Sequence, residues 1–375
     1  MTRSLALLLA LMAAAPAGAD QAERAREAAR MLEKATLALD AADGARNRVA
    51  ALTETVRGFE AGLSAMREGL RGVSIREQQI ARELAAREQE VARLLGVLQT
   101  IAHSPAPVLT LHPSGALGTA RSGMLLADVT PAIQTEVEAL RARLQEVATL
   151  RKLQEDAVAT LQQGMAGVQQ ARTALSQAVA DRRNLPRRFT ADPVRTAILI
   201  AATETLEGFA SGLSQITEDE APGSLPDIAH RKGELPLPVQ GTILRRPGEA
   251  DAAGVERPGV VVATRPRALV TTPTAATIRY RGPLLDYGQV MMLEPQAGLL
   301  FVLAGLDVVF GEAGQVLPAG SPVGLMGGDD PQIGAIVSQS GDGAGSARPE
   351  TLYIEVRQGN APTDPLAWFR TERDD

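Results

Sequence analysis

Histidine and cysteine, two of the side chains that most often bind zinc, are scarce in this chain. The sequence has three histidines, His103, His112 and His230, and no cysteine. A zinc ion that activates water needs about three nitrogen, oxygen or sulfur donors in a fixed arrangement. Three histidines so far apart do not indicate such a set, and none follows His230. We therefore expect no metal, no cofactor and no disulfide framework.

One segment near the C-terminus carries polar groups suited to binding. It reads LYIEVR and spans residues 352–357. Because alternate side chains of a β-strand face opposite sides, Tyr353, Glu355 and Arg357 share one face and the aliphatic residues share the other. The aliphatic face is expected to be core. Tyr353 as a rigid anchor and Arg357 as a partner for carboxylates are expected to line a groove.

Charge and the N-terminus indicate the class of protein. The net charge of −6 over 375 residues argues against nucleic acid as the main partner, because phosphate binding needs clustered Lys and Arg. Residues 1–19 combine Arg3, an apolar run and the small residues Ala17-Gly18-Ala19, which is the pattern of a cleaved signal peptide. The apolar run is too short to span a bilayer. We expect export, with a mature chain from about Asp20.

Two helical regions fill the next part of the chain, residues 21–103 and about 131–183. Apolar residues recur at alternating spacings of three and four, which predicts coiled-coil packing. In the first helix this seam starts with Val49, Leu52, Val56, Phe59, Leu63, Met66, Leu70 and Val73. We expect residues 20–188 to form a long antiparallel coiled-coil hairpin. Two separate partner-binding helices in a parallel oligomer are the alternative.

The expected turn of the hairpin, residues 104–130, is rich in proline and glycine but also contains apolar residues. Leu109, Leu111, Met124 and Leu125 are the candidates for a docking patch at the hairpin tip. A small local cluster that caps the hairpin accounts for them equally well.

A shorter amphipathic helix is expected over residues 194–213, with Thr190 or Asp192 as its N-cap and Pro193 in its first turn. Its apolar stripe includes Ile198, Leu199, Leu206 and Phe209, and it must pack on something. The helix and a linker occupy residues 189–234. Short β-prone runs separated by Gly/Pro turns then predict a mostly antiparallel β domain over residues 235–371. These runs are residues 242–245, 259–264, 275–280, 290–293, 299–304 and 351–357. The fold class is therefore α+β.

The β domain resembles the LytM-type, or lysostaphin-like, domains. The landmarks are LPLPVQGTILRRPGE, YGQV, AGSPVGLMGG and LYIEVRQGNAPTDPLAWF, in that order. Active members of that family are zinc hydrolases. Their ligands come from an H-x-G-x-D stretch and the second His of an H-x-H stretch. The first His of H-x-H and a His in a Y-x-H-L stretch assist the chemistry.

This sequence departs from the family pattern at every metal-binding and catalytic position. Arg257 and Val261 stand where the first His and the Asp are expected, and Gly305 replaces the His of Y-x-H-L. At the H-x-H stretch, Thr351 and Tyr353 stand at the positions of the two histidines. Without zinc nothing lowers the pKa of an attacking water to about 7. The resemblance thus implies a domain that is not an enzyme, with Arg257, Val261, Gly305, Thr351, Tyr353 and Arg357 in a partner-binding groove.

The order of signal peptide, helical hairpin, intervening helix and metal-less LytM domain resembles the EnvC-type murein hydrolase activators. That resemblance implies a periplasmic protein of cell division. Its groove would bind and activate an N-acetylmuramoyl-L-alanine amidase, and its hairpin would dock on the periplasmic part of an FtsEX-type ABC complex. The helix at 194–213 would cover the groove in an off state, or would pack permanently against the hairpin.

Two other classes remain open. The first is a periplasmic adaptor of an export system, although such adaptors thread their hairpin between two halves of a β domain and no β segment precedes this hairpin. The second is a passive scaffold that binds peptidoglycan. An activator stimulates murein breakdown only when an amidase is added, a scaffold has no effect on it, and an enzyme acts alone.

Overall fold

The structure, a computed structural model, describes residues 17–42, 47–86, 115–182, 185–213, 227–251, 254–329, 349–359 and 361–370, with residues 92 and 96. Two compact units are present. One contains residues 1–30, 63–162 and 333–344, and the other contains residues 31–62, 163–332 and 345–375. Helical residues 48–62 and 163–180, called here the base of the helical pair, therefore belong to the same unit as the β domain. The sequence suggested a division near residue 188.

In the described part of the first half, the long helices are α1 Ala17–Ala42, α2 Arg48–Ala86 and α3 Gly115–Ala180. The single helix expected over residues 21–103 is thus divided between Ala42 and Arg48. The turn expected over residues 104–130 is wrong in its second half, because α3 starts at Gly115 and continues through Pro131. A proline inside a helix removes one hydrogen bond.

The seam residues of α2 are buried as predicted. Leu52, Val56 and Phe59 are fully buried, and Val73 and Ile80 pack with Leu150. Polar pairs also join the helices: Arg76 donates to Glu146 at 2.8 Å in one unit, and Arg172 donates to Glu60 at 3.0 Å in the other. Residues 87–91, 93–95 and 97–114 lie outside the described residues, so the antiparallel coiled-coil hairpin stays a prediction.

Two short helices follow in place of one. Helix α4, Pro193–Ala202, is capped by Asp192, whose carboxylate accepts from the N–H groups of Val194 and Arg195. Asp192 is one of the two N-caps that the sequence allowed, and Thr190 is not the cap. Helix α5, Leu206–Leu213, is separate because Thr203 has extended backbone and the Thr205 hydroxyl caps the new helix through the N–H of Gly208. Threonine side chains often bond locally to the backbone in this way, which favours helix ends.

The β domain is one antiparallel sheet of ten described strands. The strands are β1 Gly241–Arg245, β2 Val260–Thr264, β3 Leu269–Thr271, β4 Ala276–Pro283, β5 Gln289–Gln296, β6 Leu299–Val309, β7 Val316–Leu317, β8 Pro322–Met326, β9 Glu350–Gln358 and β10 Ala361–Thr363. Their main order is β1-β2-β9-β6-β5-β4-β7, while β10 pairs with β9 and β8 pairs with both β3 and β6. All six predicted strands are present.

The sheet buries side chains on both faces. One face packs with Leu352, Ile354 and Val356 of β9 in a large aliphatic and aromatic core. The other face carries Tyr353 and packs with α5. The division of LYIEVR into a core face and a second face is therefore confirmed, and the second face positions the candidate site.

Candidate functional site

Three adjacent strands assemble the positions at which the sequence departs from the family pattern. Val261 of β2 and Ala304 of β6 are the register partners of Tyr353 on β9, one on each side. Gly305 follows Ala304, and a Cβ added to it would lie 2.7 Å from the carbonyl oxygen of Thr351. The structure thus brings Val261, Gly305, Thr351 and Tyr353 together, although they are up to 92 residues apart in the numbering.

Gly305 does not lie in a turn. It lies inside β6, where the pairing with β5 shifts between Val290–Ala304 and Gln289–Leu306, so it is the extra residue of a β-bulge. Its φ of 91° suits glycine and strains other residues. Any side chain here would meet the backbone of β9, so this position suits glycine.

Tyr353, Glu355 and Arg357 form a buried polar network on the second face of β9. The Tyr353 hydroxyl donates to Glu355 Oε2 at 2.6 Å and accepts from the N–H of Gly259 at 3.1 Å. Arg357 Nη1 donates to Glu355 Oε1 at 2.6 Å. Gly259 is required here, because a Cβ would lie 2.4 Å from the Tyr353 ring. The carboxylate is therefore satisfied by residues of its own strand.

Arg357 does not present its charge to solvent. It is 1% exposed and Glu355 is 2% exposed, so the expected pairing of Arg357 with a partner's carboxylate is replaced by an internal pair in this structure. The reason is spacing: residues two apart on a strand lie on the same face, within reach of a long arginine side chain.

Arg257 lies near one end of this face, next to a second tyrosine. Its guanidinium carbon is 5.6 Å from the centre of the Tyr287 ring, within the range of a cation–π contact, and that ring is 6.0 Å from the Tyr353 ring. Leu285, two residues before Tyr287 in the chain, has a φ of 47°, a conformation that strains a residue with a Cβ. Tyr287 was not predicted as a site residue, although it lies in the YGQV landmark.

Helix α5 covers the Tyr353 face. Leu206, Phe209, Ala210 and Leu213, at helical spacing, belong to one buried cluster with residues of this face: Tyr280, Leu284, Val290, Met292, Leu300, Val302, Ala304 and Tyr353. Phe209 meets Tyr280 edge to face at 4.7 Å. Val261 is half-buried against the same cluster, so it lines this face and does not join the opposite core. The candidate groove is thus occupied by a segment of the chain itself.

Helix α4 contributes less than the sequence suggested. Leu199 is half-buried at the edge of the cluster, but Ile198 is 62% exposed, so its placement in the buried stripe is wrong. The break at Thr203 changes the direction of the stripe, and only the residues of α5 keep the expected apolar face toward the sheet.

Burial raises the pKa of Tyr353, and the nearby Glu355 carboxylate raises it further. Burial also raises the pKa of Tyr280. A tyrosine whose pKa is higher in the folded protein than in the unfolded chain stabilises the folded state. This contribution is complete below the unfolded pKa of about 10 and is lost as pH rises above that value.

We therefore expect the free energy of unfolding to fall above about pH 10, by up to ~1.4 kcal/mol per pH unit for each such tyrosine. Tyr353→Phe should make this decline shallower, leaving the part due to Tyr280. It should also lower stability at neutral pH by about 1–3 kcal/mol, because Gly259 and Glu355 lose a hydrogen-bond partner. Urea unfolding at a series of pH values measures both effects. An unchanged alkaline slope in Tyr353→Phe would contradict the assignment.

Other predicted site residues are only partly described. Met124 is in α3 and is 74% exposed. Leu125 is in the same helix, and Leu109 and Leu111 lie outside the described residues, as does most of the expected signal peptide. Within the described ranges, no group of three His, Cys, Asp or Glu side chains is placed to hold a metal ion. No helix in the described part is both long and apolar enough to span a membrane.

The comparisons with known proteins are of limited extent. No protein-family profile matches the chain. Part of it is 26% identical over 148 residues to an uncharacterised protein of Neisseria meningitidis serogroup B, covering 40% of this chain and 22% of that protein. The chain therefore spans about a fifth of that relative's length.

Solved structures that share similarity with part of the chain include peptidases. Csd3 of Helicobacter pylori is 21% identical with a TM-score of 0.28, covering 36% of this chain and 35% of its own. A zinc-containing peptidase of Vibrio cholerae is 20% identical with a TM-score of 0.28, covering 36% and 40%. The catalytic domain of the antimicrobial peptidase lysostaphin of Staphylococcus simulans is 16% identical with a TM-score of 0.27, covering 34% and 90%.

Proposed function

We propose that the chain is a non-catalytic periplasmic activator of a cell-wall amidase, and that α5 holds it in an inactive state. The observation that carries this proposal is the position of α5. It covers the sheet face on which Val261, Ala304 and Tyr353 are neighbours. In the LytM-type domains that the sequence resembles, this face would carry the metal.

The chemistry of the covered face suits a helix and not a catalytic metal. Val261 and Gly305 bring no metal-binding group, and the Tyr353 hydroxyl is engaged by Gly259 and Glu355. The remaining surface is apolar, and α5 fills it with side chains at i, i+3, i+4 and i+7, the pattern of a helix in a groove. An amidase helix with the same pattern could replace α5.

The remaining parts of the proposal rest on the sequence resemblance. The helical hairpin would dock on the periplasmic domain of an FtsEX-type complex, with Leu109, Leu111, Met124 and Leu125 as the candidate contact. That complex would release α5 at the division site, and septal murein would then be split. Peptidoglycan itself is a further candidate partner.

A murein-release assay tests the proposal. Dye-labelled murein is mixed with the purified chain, with a periplasmic N-acetylmuramoyl-L-alanine amidase, or with both. We expect little release by the chain alone, and an amidase-dependent increase when residues 191–214 are deleted. Release by the chain alone would indicate an enzyme. No stimulation of any periplasmic amidase by the deletion variant would favour a passive murein-binding scaffold or an adaptor.

A further inference from the structure

One buried carboxylate joins the base of the helical pair to the β domain. Glu60 of α2 is 4% exposed. Its Oε1 accepts from Arg172 Nη2 of α3 at 3.0 Å and from the N–H of Leu269 in β3 at 3.0 Å. A single oxygen atom therefore accepts hydrogen bonds from both helix α3 and strand β3, and all three residues belong to one compact unit.

Neighbouring contacts strengthen this junction. Arg265 Nη1 donates to the backbone carbonyl of Glu60 at 2.6 Å, and Arg57 Nη2 donates to the Thr271 hydroxyl at 2.7 Å. Phe59 packs so closely on α3 that a Cβ at Gly167 would lie 2.6 Å from its ring. The charged pair at Glu60 is thus enclosed, where a carboxylate and a guanidinium depend on each other for neutralisation.

The chain between Arg172 and helix α5 contacts the β domain. Helix α3 ends at Ala180, and the chain then pairs with the β6–β7 region. The N–H of Val316 donates to the carbonyl of Pro186, and the N–H of Arg188 donates to the carbonyl of Gly314, both at 2.9 Å. Arg188 and Arg279 both bind the Glu294 carboxylate. This anchored segment, residues 185–189, is followed directly by α4 and α5.

We propose that Glu60 is a latch that holds the end of α3 in place and thereby keeps α5 over the Tyr353 face. Any movement that separates α2 from α3 at their base must break the Glu60–Arg172 pair. Once α3 is free to shift, residues 185–189 are drawn away from their contacts with Gly314 and Val316, and α4 and α5 lose the anchored segment that precedes them. The inference rests on the proposed function for its biological meaning, since it names what keeps the groove covered, but its test needs no amidase.

The chain has no cysteine, so an introduced one is a unique probe. Ala210, on the buried face of α5, is 1% exposed, and Ala276, in the core on the opposite face of the sheet, is also 1% exposed. Neither Ala→Cys change adds much volume. The rate of thiol modification at Ala210→Cys reports opening of α5, and the rate at Ala276→Cys reports unfolding of the domain. We expect Glu60→Gln to raise the first rate about tenfold or more and to leave the second unchanged.

The matched control is Arg76→Gln, because the Arg76–Glu146 pair also joins α2 to α3 but lies in the other unit. It should change the Ala210→Cys rate by less than about twofold. Arg172→Gln should reproduce the effect of Glu60→Gln, and the double variant should open no further than either single variant. An unchanged rate in Glu60→Gln, an equal effect of Arg76→Gln, or exposure of Ala276→Cys together with Ala210→Cys would each overturn the latch. A lack of amidase stimulation in these variants, with α5 open, would instead contradict the proposed function.

Discussion

Phe209→Asp is expected to give an activator that stimulates the amidase without any releasing partner. Phe209 is fully buried between α5 and the sheet, in contact with Tyr280. A carboxylate cannot remain in that apolar site without a partner, so the substituted helix should leave the groove. Deletion of residues 191–214 should have the same result by removing the helix altogether.

The size of the effect follows from the buried area. Leu206, Phe209 and Leu213 each contribute about 1.5–3 kcal/mol by burial, before the entropic cost of ordering the helix. Moving a two-state equilibrium from 1:99 to 99:1 needs only about 5.5 kcal/mol. We therefore expect amidase-dependent murein release to rise at least about tenfold over the intact chain.

Val194→Asp is the matched control for this substitution. Val194 lies on α4 and is 65% exposed, so an aspartate there keeps the same added charge in water. Its stimulation should stay at the level of the intact chain. Equal stimulation by Val194→Asp and Phe209→Asp would show that charge near the linker is responsible. If the deletion of residues 191–214 stimulates no more than the intact chain, α5 is not an inhibitor.

The strands were predictable where the pattern is long and β-branched. The missed strands β3, β7, β8 and β10 have between two and five residues. β8 reads PVGLM after a Gly-Ser pair, so its turn-forming residues concealed a fully buried strand. Its strand partners are β3 and β6, and side chains of β3, β6 and β8 share one core. Local composition cannot reveal such pairing.

The helical boundaries failed for a related reason. Proline and glycine between residues 104 and 130 suggested one long turn, but α3 begins at Gly115 and passes Pro131. Propensity is a weak guide to where a helix begins, because tertiary context routinely overrides it. In the opposite direction, the stripe at 194–213 suggested one helix, while Thr203 and Thr205 divide it.

The residues that line the site could be predicted from the sequence, but their hydrogen bonds and the helix that covers them could not. Alternation alone assigned Tyr353, Glu355 and Arg357 to one face, and the family resemblance selected Val261 and Gly305 as their neighbours. The sequence did not reveal that Glu355 binds both Tyr353 and Arg357, because that depends on side-chain distances. Nor did it reveal that α5 lies over them, since amphipathicity shows that a helix packs but not on which surface.

Arg357→Met should lower the free energy of unfolding by about 3–5 kcal/mol, because it leaves the Glu355 carboxylate buried without its cation. Urea unfolding of the intact chain and the variant measures the difference. Glu355→Gln combined with Arg357→Met should recover part of the loss, since no unpaired charge then remains.

Arg187→Gln is the matched control, because the Arg187–Glu312 pair has both side chains more than half exposed. Its loss should cost no more than about 1 kcal/mol. The comparison separates two roles for Arg357. An internal clamp gives a large loss of stability whether or not an amidase is present. If Arg357 instead binds a carboxylate of a partner protein, Arg357→Met should change the free energy of unfolding little and should weaken the complex with that partner. That outcome would contradict the buried network.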